Sequence, residues 1–210
     1  KPGRDVVSDK IRHDATPGCW EYGIYEGAAW TAATRRITAA DPLRLLEVGT
    51  STGDCTMQVM AAFGPARVRA RVLEPFPPAV ERLRRNLQLN GLEEVVEVRP
   101  QGLGLRRERI PICGDAANDA THFFVRCASA GGADEVEVVT PAEALGPAGS
   151  VVWDVLSIPE MVLEGCPDAL RLTEGLEKRV RFIASGGCVM SAEDFVRGGF
   201  IFQGDCRTVA

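Results

Sequence analysis

The stretch Leu45-Leu46-Glu47-Val48-Gly49-Thr50-Ser51-Thr52-Gly53-Asp54 restricts the fold more than any other part of the chain. It is an apolar run closing in an acid, then a loop with glycine at both ends, then helix-like spacing from Thr56 to Phe63. Together these describe a strand, a tight turn and a helix, with a turn open enough for a ligand to approach the backbone. In open α/β sheets, small ligands dock at turns of this kind.

A second strand is predicted from Val68 to Leu73, ending in Glu74-Pro75. A carboxylate at that tip can accept both hydroxyls of a ribose, so the pair of sites points to a nucleoside-bearing cofactor. Glycine spacing discriminates among such cofactors. A dinucleotide fingerprint reads G-x-G-x-x-G and seats a pyrophosphate on the helix N-terminus. Here the spacing is Gly49-x-x-x-Gly53, and Asp54 stands at the helix start. Its charge would repel a pyrophosphate and attract a sulfonium or ammonium. The turn therefore favours S-adenosylmethionine over NAD.

Glu47-Val48-Gly49-Thr50-Ser51-Thr52-Gly53-Asp54 with Thr56 resembles the first motif of class I methyltransferases. With Glu74-Pro75 and the later Asn86-Leu87-Gln88-Leu89-Asn90-Gly91, it is similar to the FkbM family. The resemblance runs over residues 17–205 and is strongest over 43–104. It implies a Rossmann-like, seven-stranded α/β methyltransferase sheet, mostly parallel with an antiparallel last strand, and a small β-rich insertion at about 109–139. It also implies S-adenosyl-L-methionine as cofactor, S-adenosyl-L-homocysteine as product and a small-molecule or glycan-like hydroxyl as acceptor. The cofactor contacts it implies are Glu47, Gly49, Thr50, Ser51, Gly53, Asp54, Thr56, Glu74, Pro75, Gln101 and Gly102. Each acid also has a plainer reading: Glu47 and Asp54 as caps of the following helix, and Glu74 as partner to a nearby Arg.

At 210 residues, 45% of them hydrophobic, the chain suffices for one core. Residues 1–40 read as an N-terminal arm and helical lid segment, and 41–210 as the main domain. The start at Lys1-Pro2-Gly3 reads as that of an excised or trimmed domain. No apolar run approaches the roughly 18 to 20 residues that span a bilayer. Seven cysteines are scattered without a C-x-x-C pair, which points to no metal site and to unpaired thiols in a reducing, cytoplasmic setting. A net charge of −5 disfavours nucleic acid as partner. From Arg67 to Arg109, however, ten arginines face six acids, forming either a solvated surface or a docking field for an acidic partner.

Gly18-Cys19-Trp20-Glu21 is similar to a family segment that crosses the cofactor pocket, and it reads equally as core packing. Arg67-Val68-Arg69-Ala70-Arg71-Val72 alternates strictly, a strand whose Arg face conflicts with a sheet covered on both sides. Pro77-Pro78 opens a helix with an inward stripe of Val80, Leu83 and Leu87, stopped by Asn90-Gly91. A strand over 95–99 leads to Pro100-Gln101-Gly102-Leu103-Gly104, either the family's adenine-contacting loop or an ordinary turn. Short β-like runs follow at 109–113, 121–127 and 135–139, then a Thr140-led helix. A strand over 151–156 carries Asp154 towards its carboxyl end, strands are expected at 180–184, 200–203 and 207–209, and a helix begins at Ser191.

For the chemistry, Asp154 and Glu160 are the catalytic candidates, in a segment that matches the family's Lys-Ile-Asp-Val-Glu-Gly pattern only at Asp154-Val155 and Glu160. His13 and His122 are further bases by residue type, and none is singled out. Three functions remain: a methyltransferase, a catalytically silent methyltransferase-fold scaffold of a larger protein, and an NAD-linked oxidoreductase. The acceptor and the oligomeric state are not encoded in any motif.

Overall fold

The computed structural model describes residues 42–112, 134–147, 151–158, 178–185 and 188–191. The expected arm and lid at 1–40, the strands at 121–127, 200–203 and 207–209, and Glu160, His13 and His122 lie outside them.

The chain alternates strand and helix as its patterning predicts. β1 (Leu43–Val48) leads through the bend into α1 (Asp54–Phe63), then a 3-10 turn (Pro65–Arg67) and β2 (Val68–Leu73). Next come α2 (Pro77–Asn90) and β3 (Val96–Arg99). β4 (Gln101–Leu103), β5 (Glu108–Ile112) and β6 (Asp134–Val139) precede α3 (Pro141–Leu145), β7 (Trp153–Ser157), β8 (Val180–Ser185) and β9 (Cys188–Ser191).

Six strands form the main sheet in the order β3-β2-β1-β7-β8-β9. The first five are parallel and β9, a strand not expected from the sequence, runs antiparallel to β8. The described sheet has six strands where seven were expected, and the closing antiparallel strands expected at 200–203 and 207–209 lie outside the described residues. The order progresses outward from β1 to β3 and then restarts on the other side at β7. The crevice beyond the carboxyl ends of β1 and β7 is therefore the topological switch point, where ligands bind in such sheets. β4, β6 and β5 make a separate three-stranded sheet in which β6 is parallel to β4 and antiparallel to β5. The β-rich insertion is thus present, and residues 101–103, expected as loop, are one of its strands.

Two apolar layers hold the main sheet. On one face, Leu43, Leu45, Val68, Ala70, Val72, Val96 and Val155 pack with Met57, Met60, Leu83 and Leu87 of α1 and α2. On the other, Leu46, Val48, Leu73, Leu156 and Ile183 pack with Val139, Ala144, Leu145 and Trp153 around α3. Burying such a side chain contributes about 1.5 to 3 kcal/mol, which is what fixes the register of strands with two covered faces.

The arginine face of β2 resolves locally. Arg69 is exposed and donates to Pro65 O and Val68 O. Arg71 reaches under α3, donating to Ala144 O (2.7 Å) and to Glu97 (2.7 Å), with its guanidinium 5.0 Å from the Trp153 ring centroid. Arg99 donates to Glu143 O (3.4 Å), and Arg179 to Gly146 O (2.8 Å) and Pro147 O (3.1 Å). The carbonyls at the end of α3, which have no partner inside the helix, are thus capped by guanidinium groups. At its start Thr140 and Glu143 form a capping box. Of the ten arginines from Arg67 to Arg109, Arg71 and Arg99 thus serve as fasteners, while Arg67, Arg69, Arg84, Arg85, Arg106, Arg107 and Arg109 are exposed.

Candidate functional site

β1 ends at Val48, and the ladder with β2 continues one step further through Gly49 N–H to Leu73 O (2.8 Å). The chain then leaves the sheet through three left-handed residues, Gly49 (φ 68°), Ser51 (φ 51°) and Gly53 (φ 87°). A serine with positive φ is strained, and such strain persists only where surroundings enforce it. Here the enforcing group is Glu74. One carboxylate oxygen accepts from Ser51 N–H (2.7 Å) and the other from Phe76 N–H (2.9 Å). Glu74 is buried, and Glu74 N–H is in turn held by Arg99 O (3.0 Å). The acid at the tip of β2 is therefore docked under the bend that follows β1, bonded to its backbone.

Glu47 takes a different path. Its carboxylate, also buried, accepts from Thr56 Oγ1 in the first turn of α1. A negative charge there suits the helix dipole. Gly53 is the N-cap residue and supplies no side-chain cap, so from that position the N-terminus of α1 is left open toward the crevice. Asp54 is its first residue. Thr50 is buried, and its Oγ1 has no hydrogen-bond partner among the described residues, as is true of Gln101 Oε1 and Arg179 Nε. Such a hydroxyl is uncommon in folded proteins and is open to completion by water or a bound group. Gly49 is exposed at the same bend. An exposed glycine, an orphaned hydroxyl, an uncapped helix start and a docked carboxylate fit a nucleoside carrying an amino-acid tail.

Other expected residues lie elsewhere. Pro75 is buried directly after Glu74. Gln101 stands in β4 with its amide committed to Glu137 (Nε2 to Oε2, 2.6 Å), and Gly102 is buried in the same strand. Among the described residues no hydrogen bond links Gln101 to the bend. Glu137 accepts from Gln101 and Arg107, and these bonds hold its carboxyl below the usual range. Asp154 is corrected more strongly. It is the second residue of β7, register-matched to Arg44 at the amino end of β1. Five residues separate Arg44 from Gly49, about 16 Å at ~3.3 Å per residue. Asp154 is buried, accepts from Arg44 N–H (2.8 Å) and pairs with Arg181 (3.1 Å). It ties strand starts together, and the residue at the carboxyl end of β7 is Ser157, level with Glu47 and Ala184.

Cys55, in the first turn of α1, is disulfide-bonded, against the expectation of unpaired thiols. Disulfides persist in oxidising environments, so the cysteines no longer argue for a cytoplasmic setting. Among the described residues no group of His, Cys, Asp and Glu could hold a metal, and no helix is long and apolar enough to cross a membrane.

Sequence reasoning missed the hold of α2 on the bend. Asn86 is fully buried and donates from Nδ2 to Thr52 O (2.9 Å), and a Cβ on Gly53 would drive into Leu83 Cδ1. The available signal was a polar residue beside the apolar stripe of Val80, Leu83 and Leu87.

Neither a family model nor a curated protein matches the sequence. Solved structures do. The N-terminal domain of human METTL16 in complex with SAH aligns at a TM-score of 0.52 and 12% identity, covering 86% of this chain and 60% of that one. A METTL16 MTase domain aligns at 0.51 and 12% identity over 81% and 54%. The human methyltransferase 10 domain containing protein aligns at 0.47 and 13% identity over 77% and 63%. The chain thus spans between 54% and 63% of the length of these neighbours. Strand order, switch point and the two METTL16 alignments above 0.5 agree that the chain has the Rossmann-like fold of class I methyltransferases.

Proposed function

We propose that the chain is an S-adenosylmethionine-dependent methyltransferase acting on a hydroxyl of a small-molecule or glycan-like acceptor. The observation that carries this reading is the Glu74 carboxylate docked on the Ser51 N–H at the switch point. A carboxylate can accept about four hydrogen bonds, and the Glu74 oxygens would accept those of a ribose diol. Thr50 Oγ1, the Gly49–Gly53 backbone and the N-terminus of α1 would hold the methionine portion, with Asp54 toward its ammonium. When bound, S-adenosylmethionine supplies an electrophilic methyl group on a sulfonium. The protein's part is to orient that group and exclude water, and orientation can remove about 7 to 11 kcal/mol from the barrier in favourable cases. The FkbM resemblance supports the hydroxyl as acceptor.

A second reading, a catalytically silent fold used as a scaffold, is favoured by the placement of Asp154, the leading catalytic candidate, away from the crevice and engaged with Arg44 and Arg181. Glu160 then remains the catalytic candidate from the sequence. Calorimetry with S-adenosylmethionine, S-adenosylhomocysteine and NAD separates the readings. Binding of both sulfur nucleosides together with methylation of a hydroxyl acceptor supports the first. Binding without turnover supports the second, and binding of NAD alone overturns both.

A further inference from the structure

Asn86 sits where a core helix gains most from leucine. It is completely buried, next to Leu87 and one turn from Leu83, all on the face of α2 that packs against the sheet. Burying an amide is unfavourable unless its bonds are made, so a polar residue here has a specific partner. That partner is Thr52 O, a carbonyl of the bend, at 2.9 Å. Asn90 Nδ2, bonded to Asn86 O (2.8 Å), and Met57 Sδ (3.5 Å) pack behind it.

Two peptide groups of the bend, those before and after the Ser51–Thr52 link, are thus each held by a side-chain bond. Ser51 N–H is fixed by Glu74 at the end of β2, and Thr52 C=O by Asn86 of the helix that follows β2. Leu83 closes the third side against Gly53, which leaves no room for a side chain there. The Thr50–Ser51 peptide cannot turn without losing its bond to Glu74, nor the Thr52–Gly53 peptide without losing its bond to Asn86, and these two peptides adjoin the left-handed Ser51 and Gly53.

We infer that Asn86 is a positioning residue for the nucleoside site: it fixes the Thr52–Gly53 peptide so that the bend is already in its ligand-binding shape before a ligand arrives. This rests on the cofactor reading above. Preorganisation of this kind acts on affinity, since a bend that must be ordered on binding lowers it. Asn86 touches no ligand under this assignment and acts only through the backbone of Thr52.

The test compares Asn86→Ala with Leu87→Ala in the full chain. Leu87 is the neighbouring core residue, 2% exposed, and its truncation destabilises α2 without removing a bond to the bend. Calorimetric affinity for S-adenosylhomocysteine and amide hydrogen exchange at Ser51 and Gly53 in the ligand-free protein are read for both variants. For Asn86→Ala, affinity is expected to fall about tenfold, as for loss of one buried hydrogen bond, and the bend amides to exchange faster. Leu87→Ala, with a comparable fall in Tm, is expected to change neither by more than about twofold. Equal affinity in Asn86→Ala and wild type, or equal loss in both variants, overturns the assignment. If the wild-type protein binds no sulfur nucleoside, the cofactor reading fails. The positioning role is then judged on exchange alone: faster exchange at Ser51 and Gly53 in Asn86→Ala than in Leu87→Ala upholds it, and equal rates overturn it.

Discussion

Around the bend, the polar anchors are carboxylates and one amide, each making single bonds to backbone: Glu74 to Ser51 and Phe76, Asn86 to Thr52. Around α3 they are guanidinium groups, with Arg71, Arg99 and Arg179 each donating to one or more carbonyls at the helix end. The first region satisfies main-chain donors and holds the Thr50 hydroxyl, buried without a partner among the described residues. The second satisfies main-chain acceptors and pairs its charges, as at Arg71–Glu97 and Arg107–Glu137, while Arg179 Nε is likewise buried without a partner among the described residues. The difference lies in what is held: the N–H and C=O groups of a left-handed bend in the first, and the carbonyls at a helix end in the second.

This contrast breaks or sharpens in measurable ways. The largest effect is expected at Gly53, where Gly53→Ala combines a positive φ with a collision against Leu83. A loss of about 3 kcal/mol in urea unfolding follows from strain plus overpacking. A loss under about 0.5 kcal/mol would show that Leu83 yields and that the bend is loosely held. Glu74→Ala comes next. Removing a buried acceptor of two backbone donors and of the proposed ribose should weaken S-adenosylhomocysteine binding by at least about 1.5 kcal/mol, more than tenfold. Unchanged affinity removes Glu74 from the site.

In the second region, Arg179→Met leaves two carbonyls after α3 without their donor and should cost about 1 kcal/mol of stability while nucleoside affinity stays within twofold of wild type. A change in affinity beyond that would erase the division between the two regions. The smallest effect concerns Glu97. Burial raises its pKa, but hydrogen bonds and charge from Arg71 and Arg99 outweigh this and hold it below 4.5. A depressed carboxylate contributes stability above its unfolded pKa and loses it as pH falls through the folded value. Glu97 is half exposed, so the contribution is under about 1 kcal/mol after screening and shrinks with added salt. Thermal melts of Glu97→Gln and wild type should therefore differ at pH 7 in low salt and converge below about pH 4. A gap that persists at low pH assigns the effect to packing.

Local pattern carried much of this fold. The strand, bend and helix from Leu43 to Phe63, the acid ending β2, the Pro-opened α2 and the Thr140-led α3 follow from residues near one another in sequence, and each appears where its spacing puts it. What was hidden depends on distant partners. β4 is three residues long and exists because Glu137, Val138 and Val139 lie beside it. Arg71 of β2 looks like a surface residue until α3 is folded over it, whereas Arg69 stays exposed. Asp154 was misjudged through a strand boundary: starting β7 at Trp153 instead of Val151 turns an acid of the carboxyl half into one near the amino end. Within the site, Glu74 and the glycines were legible because their chemistry is written into a short motif. Asn86 was not, because its purpose lies across the fold at Thr52.

One imino acid separates the two sheets. Arg99 ends β3 and Gln101 begins β4, so Pro100 alone turns the chain from the floor of the crevice into its side wall. Lacking an N–H, it cannot extend the ladder of β3, and its fixed φ sets the angle at which the wall departs. The small sheet is therefore hinged at this corner and clamped elsewhere, by Val139 in the layer around α3 and by Val136 and Ile110 against Phe76 and Ala79. Since Phe76 N–H also binds Glu74, reshaping that sheet would be felt at the nucleoside berth itself.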